Sequence, residues 1–98
     1  MIIYVDVDET ICYYKAERNY NLAIPYKDRI AKINKLFEEG NRIYYWTARG
    51  TGSGEYWLSK TKDQLDLWGC KYTGIKIGKP IYDLFIDDKN INSENFFN

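Results

Sequence analysis

Residues 2–11 read IIYVDVDETI. The stretch begins as a continuous apolar run rich in β-branched residues, the pattern of a strand buried on both faces. It then meets Asp6, Asp8 and Glu9, three acids in four positions. Acids this close repel one another, and burial raises their pKa values unless positive charge holds them ionised. A strand that ends in this way asks for a cation at its tip.

The chain that follows supplies the elements of a sheet. Residues 11–24 (ICYYKAERNYNLAI) read as a hairpin with aromatic and aliphatic arms and a polar tip. Pro25 opens a helix in which Ile30, Ile33, Leu36 and Phe37 recur at helical spacing until Gly40. Residues 42–47 (RIYYWT) form a second strand, followed by the glycine-rich loop ARGTGSGE at 48–55. A second helix runs to Gly69 with Leu58, Thr61, Leu65 and Trp68 on one face, and Thr61 with Gln64 also fits a capping box, so two starts are open. YTGIKI (72–77) is a third strand and YDLFID (82–87) a fourth. The tail 91–98 is partly ordered, with Phe96 and Phe97 available to dock. This order predicts a single α/β domain over residues 1–98. It is a compact Rossmann-like parallel sheet of about four strands, with helices on both faces, a flap hairpin at 11–24 and no cap domain.

Composition narrows the function. Fourteen acids balance fourteen bases, which leaves no electrostatic footprint for nucleic acid and no polybasic membrane patch. No apolar run approaches the roughly 20 residues of a membrane span, and the opening segment meets acids too early for a signal peptide. The expected compartment is the cytoplasm. Cys12 and Cys70 lack zinc-ligand spacing and suggest no disulfide. The chain contains no histidine, which excludes Ser-His-Asp triads, Cys-His dyads, phosphohistidine chemistry and His-bearing metal sites.

In parallel α/β sheets, ligands bind outside the carboxyl ends of the strands. Asp6 and Asp8 end the first strand, Thr47 the second and Asp87 with Asp88 the fourth, while Lys79 follows the third. Carboxylates without His or Cys favour a hard cation, and Mg²⁺ suits a site with few carboxylates and several waters. Lys79, the Thr47 hydroxyl and the backbone amides of the loop beginning at Ala48 suit phosphate oxygens. Together they describe a phosphoryl-transfer site.

These residues resemble the haloacid dehalogenase-like phosphohydrolases. Asp6-Val7-Asp8-Glu9-Thr10 matches that family's Asp-x-Asp-x-Thr motif, Thr47 its strand-ending Ser or Thr, Lys79-Pro80 its lysine and Asp87-Asp88 its paired acids, in order over residues 1–90. WTARG (46–50) and GKPIYDLFIDDK (78–89) are most similar to small members associated with bacterial capsule and sugar-phosphate metabolism. The resemblance implies a phosphatase in which Asp6 attacks phosphorus and forms an aspartyl phosphate. Asp8 then acts as acid and afterwards as base. Mg²⁺ is held by Asp6, Asp87 and the backbone carbonyl of Asp8, and Thr47 and Lys79 hold the phosphoryl oxygens. Asp88 orients Lys79 or a metal-bound water, and Thr10 completes the first motif. Glu9 departs from the family, which often has Gly there, and adds a negative charge beside the phosphate. The implied substrate is a small phosphomonoester such as a sugar phosphate. With no cap, the hairpin, the loop 50–56 or a partner subunit must shield the site, and the short sheet and aromatic surplus suggest a homodimer.

Rival interpretations exist for most of these residues. Arg49 either contacts phosphate or substrate, or pairs with Glu55. Lys76, flanked by Ile75 and Ile77, points out of an edge strand. Tyr13, Tyr14 and Tyr20 pack across the hairpin, with stacking on a sugar or base as the alternative; Trp57 and Trp68 belong to the core. CYYKAER (12–18) matches the Cys-x5-Arg signature of cysteine phosphatases only literally, because its bulky loop cannot cradle phosphate. Two other functions fit the motifs. One is a polynucleotide 3′-phosphatase, opposed by the neutral charge. The other is a phospho-accepting or metal-binding module without turnover, opposed by the lack of an acceptor Asp on a middle strand.

Overall fold

The computed structural model describes residues 1–53 and 56–98. Three strands form a parallel sheet: β1 (Ile2–Asp6), β4 (Arg42–Trp46) and β5 (Gly74–Lys76), in the order β1-β4-β5. Ile3 lies opposite Ile43, Val5 opposite Tyr45 and Tyr45 opposite Ile75. Parallel neighbours need a crossover, and α1 (Lys27–Glu38) and α2 (Leu58–Leu67) provide the two. Both helices end where glycine takes a left-handed backbone that other residues reach only with strain, Gly40 at φ +100° and Gly69 at φ +76°. A short ladder, β2 (Cys12–Tyr13) against β3 (Ile24–Pro25), closes the flap after β1, with a 3-10 turn at Tyr20–Leu22 inside it. A last helix, α3 (Ser93–Phe97), ends the chain. No helix among the described residues is long and apolar enough to cross a membrane.

The core follows from the twofold alternation of side chains along each strand. Val5, Ile43 and Tyr45 point to one face and are buried with Val7 and Ile11 beneath Ile30 and Ile33 of α1 and Leu65 of α2. The opposite face carries Tyr4, Tyr44 and Trp46, whose rings meet at 5.5 and 5.8 Å.

The α/β architecture is the one the sequence predicts, and several details differ. The long helices share a single core and hence one face of the sheet, where one on each face was expected. Two crossovers of the usual hand that step in the same direction along a sheet put both helices on the same side. Pro25 sits in β3 instead of opening the helix, which starts two residues later, after Tyr26 donates its N–H to the Ile11 carbonyl at 2.8 Å. The flap hairpin has only two paired residues per arm. The second helix starts at Leu58, so Thr61 is inside it, buried, and does not cap it. The tail is ordered: Phe96 and Phe97 pack on the core, as the sequence allowed.

The fourth strand is absent among the described residues. Residues 82–87 are exposed and have no regular secondary structure. An extended segment must find partners for its N–H and C=O groups, and no described strand of the same chain receives this one. It folds locally instead, with the Tyr82 and Phe85 rings 5.4 Å apart and the Asn90 amide donating to the Phe85 carbonyl at 3.2 Å.

Candidate active site

The carboxyl ends of β1 and β4 open onto a cleft of about 600 Å³, lined by Asp6, Asp8, Ala48, Arg49 and Lys79 together with Arg18, Tyr20, Trp57 and Tyr82. β1 carries Asp6 on its last residue. The chain then makes a tight turn in which the Thr10 and Ile11 N–H groups both donate to the Val7 carbonyl, at 3.2 and 2.9 Å. That turn places Asp8 beside the flap and returns Thr10 to Asp6.

The cations that the acid-rich strand end requires come from the chain itself. Lys79 Nζ donates to Asp6 Oδ1 at 3.0 Å, and the Thr10 hydroxyl donates to Asp6 Oδ2 at 2.9 Å. The Asp6 side chain remains 35% exposed and faces the cleft. Burial works to lower the Lys79 pKa, but the charge of Asp6 and its hydrogen bond outweigh this, and the ammonium is held above its ordinary value.

Asp8 is bound differently. Arg49 grips it with a two-pronged fork, Nε to Oδ2 at 3.0 Å and Nη2 to Oδ1 at 2.8 Å. The Tyr14 hydroxyl also donates to Oδ1, and the Cys12 thiol lies 3.5 Å from it. Burial pushes the Asp8 carboxyl upward, yet the hydrogen bonds and charge of Arg49, with Tyr14 and Cys12 assisting, hold it below the usual carboxylate value. The same pair raises Arg49 against the downward pull of its own burial. Burial, and then Asp8, push the Tyr14 phenol up. The Arg49 side chain is only 1% exposed and that of Asp8 10%.

Arg49, for which either a phosphate contact or a pairing with Glu55 was expected, is engaged by groups of its own chain instead. Its remaining N–H groups go to Gln64 Oε1 at 2.7 Å, Thr61 Oγ1 at 3.4 Å and the Tyr14 oxygen at 3.4 Å, and its guanidinium lies over the Tyr20 ring. The side chain ties β1, the flap and α2 together. Its alternative partner, Glu55, lies outside the described residues. Thr47 is buried, and its hydroxyl accepts the Arg49 N–H at 3.0 Å while its carbonyl accepts the Lys79 N–H at 3.1 Å. It shapes the turn beneath the cleft and does not line it. Ala48 does line it, at the start of a turn in which the Thr51 N–H donates to the Ala48 carbonyl.

Asp87 and Asp88 are not brought to the cleft; both are exposed on the arm beyond Pro80. Among the described residues no three His, Cys, Asp or Glu side chains come together in a way that could hold a metal ion. A single chain thus offers Mg²⁺ the half-open Asp6 and an Asp8 already engaged by Arg49, and the expected set of Asp6, Asp8 and Asp87 does not assemble within it. Asp88 orients nothing in this cleft.

Other expectations can be placed as well. Lys76 is exposed, with its ammonium over the Tyr4 and Tyr44 rings on the outer face. Tyr13 packs on Tyr26, whereas Tyr20 packs edge-on against Trp57 at the cleft wall. Cys12 is buried and its thiol is pushed up to about 12 by burial first and Asp8 second, so it supplies no thiolate for cysteine chemistry. Glu9 adopts φ 65°, the left-handed region in which glycine is at ease, and its exposed carboxylate lies 3.6 Å from Arg18.

Arg18, Thr61 and Gln64 join the site without having been singled out for it, and Tyr14, expected in hairpin packing or in stacking on substrate, joins it through Asp8. Thr61 and Gln64 did carry a signal, as polar residues on or beside the apolar stripe of α2. Their partner is an arginine in the preceding loop, a pairing that only folding reveals.

A crystal structure of a structural-genomics target from Vibrio cholerae is similar to this chain, with a TM-score of 0.86 at 23% identity, covering 98% of this chain and 86% of that one. At that identity the likeness establishes the α/β fold alone. No protein-family model matches the chain. No curated protein matches it either.

Proposed function

We propose that the chain hydrolyses a small phosphomonoester, a sugar phosphate or related metabolite, with Asp6 as the nucleophile. The observation that carries this proposal is the setting of Asp6. Its carboxylate stands at the carboxyl end of β1, a third exposed to the cleft, steadied by Thr10 and next to the Lys79 ammonium. A phosphoryl group entering there would meet a nucleophilic oxygen and a cation together, the two requirements of an in-line displacement on a charged ester. The cleft volume lies in the range of small-molecule sites, and Tyr20 and Trp57 offer apolar walls for a sugar.

In this mechanism an Asp6 oxygen bonds to phosphorus as the ester P–O bond breaks, and the leaving oxygen takes up a proton from a water molecule in the open cleft. Water then attacks the aspartyl phosphate, releasing inorganic phosphate and restoring Asp6. Lys79 neutralises charge on the phosphoryl oxygens. Asp8, held as a carboxylate by Arg49, suits the second half, in which a base accepts a proton from the attacking water. Mg²⁺, where bound, would supply further charge neutralisation.

The test is phosphate release from p-nitrophenyl phosphate with and without Mg²⁺, for the unaltered protein and for Asp6→Asn. Asp6→Asn should lower turnover by roughly 10⁴-fold or more, as removal of other nucleophiles does. Its free energy of unfolding should change by no more than about 1 kcal/mol, because the partly exposed Asp6–Lys79 pair is screened by solvent. Retained turnover in that variant removes Asp6 from its role.

The Asp8–Arg49 clamp supports a second possibility, a phospho-accepting module without turnover, since an Asp8 held ionised has no proton to give a poor leaving group. A phosphoryl label that survives on Asp6 for minutes would decide for the module.

A further inference from the structure

Two surfaces of this chain are unused by its own fold. The first is the outer edge of β1. The strand pairs with β4 on one side, and no described strand pairs with the other. Ile2 is 64% and Tyr4 48% exposed along it. Open strand edges with apolar side chains are templates for another strand, and proteins normally cover them. The second is the arm of residues 80–92, exposed at every position. Ile81 is 71% exposed, Leu84 75% and Ile86 85%, an unusual cost for an apolar run with strand character.

The two surfaces match in phase. Set parallel to β1 with Asp87 beside Asp6, the arm puts Leu84 and Ile86 in line with Ile3 and Val5, on the core face. Phe85 then falls in line with Tyr4, on the aromatic outer face. An antiparallel setting would carry Asp87 to the far end of the sheet. Only the parallel one combines the apolar alternation with a carboxylate at the cleft.

Within one copy the pairing is not made. The arm is pinned at its start, where the Lys79 N–H donates to the Thr47 carbonyl and the Thr51 hydroxyl to the Lys79 carbonyl. It is pinned again at its end, where Arg29 pairs with Glu94 at 3.1 Å and Lys32 donates to the Phe96 carbonyl at 2.8 Å. Between these anchors Ile81 and Tyr82 touch the cleft wall and residues 83–92 are exposed throughout, while the edge they fit stays open. A twofold arrangement satisfies both surfaces twice, since each copy carries one edge and one arm.

We infer that two copies of this chain exchange arms, so that residues 81–86 of one copy add a fourth parallel strand to the free edge of β1 in the other and bring Asp87 to that copy's cleft. The carboxylate delivery rests on the phosphatase proposal above; the exchange of strands does not. The Asp87 carboxylate, which a single chain keeps away from its own cleft, is then supplied by its partner.

The experiment separates the two claims. Chains carrying Tyr4→Cys are mixed with chains carrying Phe85→Cys and oxidised; the native Cys12 and Cys70 are buried and take no part. The exchange predicts a covalent pair that forms in the mixture beyond what either variant forms alone, and a dimeric mass for the unaltered protein by light scattering. A monomeric mass overturns it, as does a cross-link that forms only within single chains of the doubly substituted protein. Activity is then read by mixing two inactive variants, Asp6→Asn and Asp87→Asn, after reversible dissociation. Random pairing leaves one intact site in each mixed dimer, so about a quarter of the unaltered turnover should return. A covalent pair without any turnover from the unaltered protein upholds the exchange and overturns the phosphatase proposal. A covalent pair with an active Asp87→Asn variant upholds the exchange and overturns the delivery of Asp87.

Discussion

Asp6 and Asp8 are two residues apart at the end of one strand and live in different surroundings. Asp6 faces the cleft, partly exposed, with a flexible lysine on one oxygen and a threonine hydroxyl on the other. Asp8 is almost sealed, gripped by both prongs of a buried arginine that is itself tied to α2 and the flap. Water reaches the first charge and screens it; the second depends on its partner. Identical side chains thus acquire separate settings from their neighbours: one carboxylate is presented to the cleft, and the other is clamped by the arginine that ties three elements together.

The strongest way to break this contrast is to remove the arginine. Arg49→Met should leave Asp8 buried without its counter-charge, and the loss of one partner of a buried ion pair costs about 3–5 kcal/mol. Urea unfolding measures it. Adding Asp8→Asn to Arg49→Met should recover much of that loss, because no orphaned charge remains, and the double-mutant cycle then reads the coupling between the two residues. Arg49→Lys should rescue little, since an ammonium cannot reproduce the fork. If Arg49→Met costs no more than the weaker Asp6–Lys79 pair does, the two acids are not in different surroundings after all.

Acid sharpens the comparison more gently. Asp8 has a folded pKa below its ordinary value near 3.8, so its contribution to stability is present above that value and is lost as pH falls through the folded pKa. Stability should therefore decline below about pH 4, and Asp8→Asn should flatten that limb. At the alkaline end the relevant groups are raised instead: burial lifts Cys70 to about 11 and, with Asp8, Cys12 to about 12. Their contribution is complete below the ordinary thiol value and is lost as pH rises through the folded values, so decline should begin near pH 9. Chemical unfolding across pH reads both limbs, and an acid limb unchanged in Asp8→Asn assigns it to another carboxylate.

Much of this molecule is legible in its sequence, and the omissions have a common cause. The three paired strands announce themselves because apolar runs of that length are local signals, and Ile30 and Ile33 mark α1 for the same reason. Asp6, Lys79 and Ala48 meet at one cleft because the carboxyl ends of parallel strands share an edge. The failures concern partners. The run LFI has strand character whether or not an edge awaits it, so residues 84–86 read as a strand that one copy does not form. Arg49 follows Thr47 and invites assignment to phosphate, yet its fork closes on a carboxylate 41 residues earlier. Pro25 fits a helix start and a strand edge equally well, and the pairing of Cys12 with it decides the matter.

The smallest expected effect concerns the turn that sets the two acids apart. Glu9 stands directly after Asp8 at φ 65°, a conformation that costs a residue with a Cβ roughly 1–2 kcal/mol. Glycine removes that strain, although it also makes the unfolded chain freer. Its ion pair with Arg18 is exposed at both ends and contributes little. Glu9→Gly should therefore stabilise the fold by about 0.5–1 kcal/mol, whereas Glu9→Ala, which loses the same carboxylate but keeps a Cβ, should gain nothing. Thermal unfolding of the two variants side by side separates backbone strain from charge. Equal midpoints would mean that the turn holds Asp6 and Asp8 apart without strain, and that the carboxylate of Glu9 is what matters there.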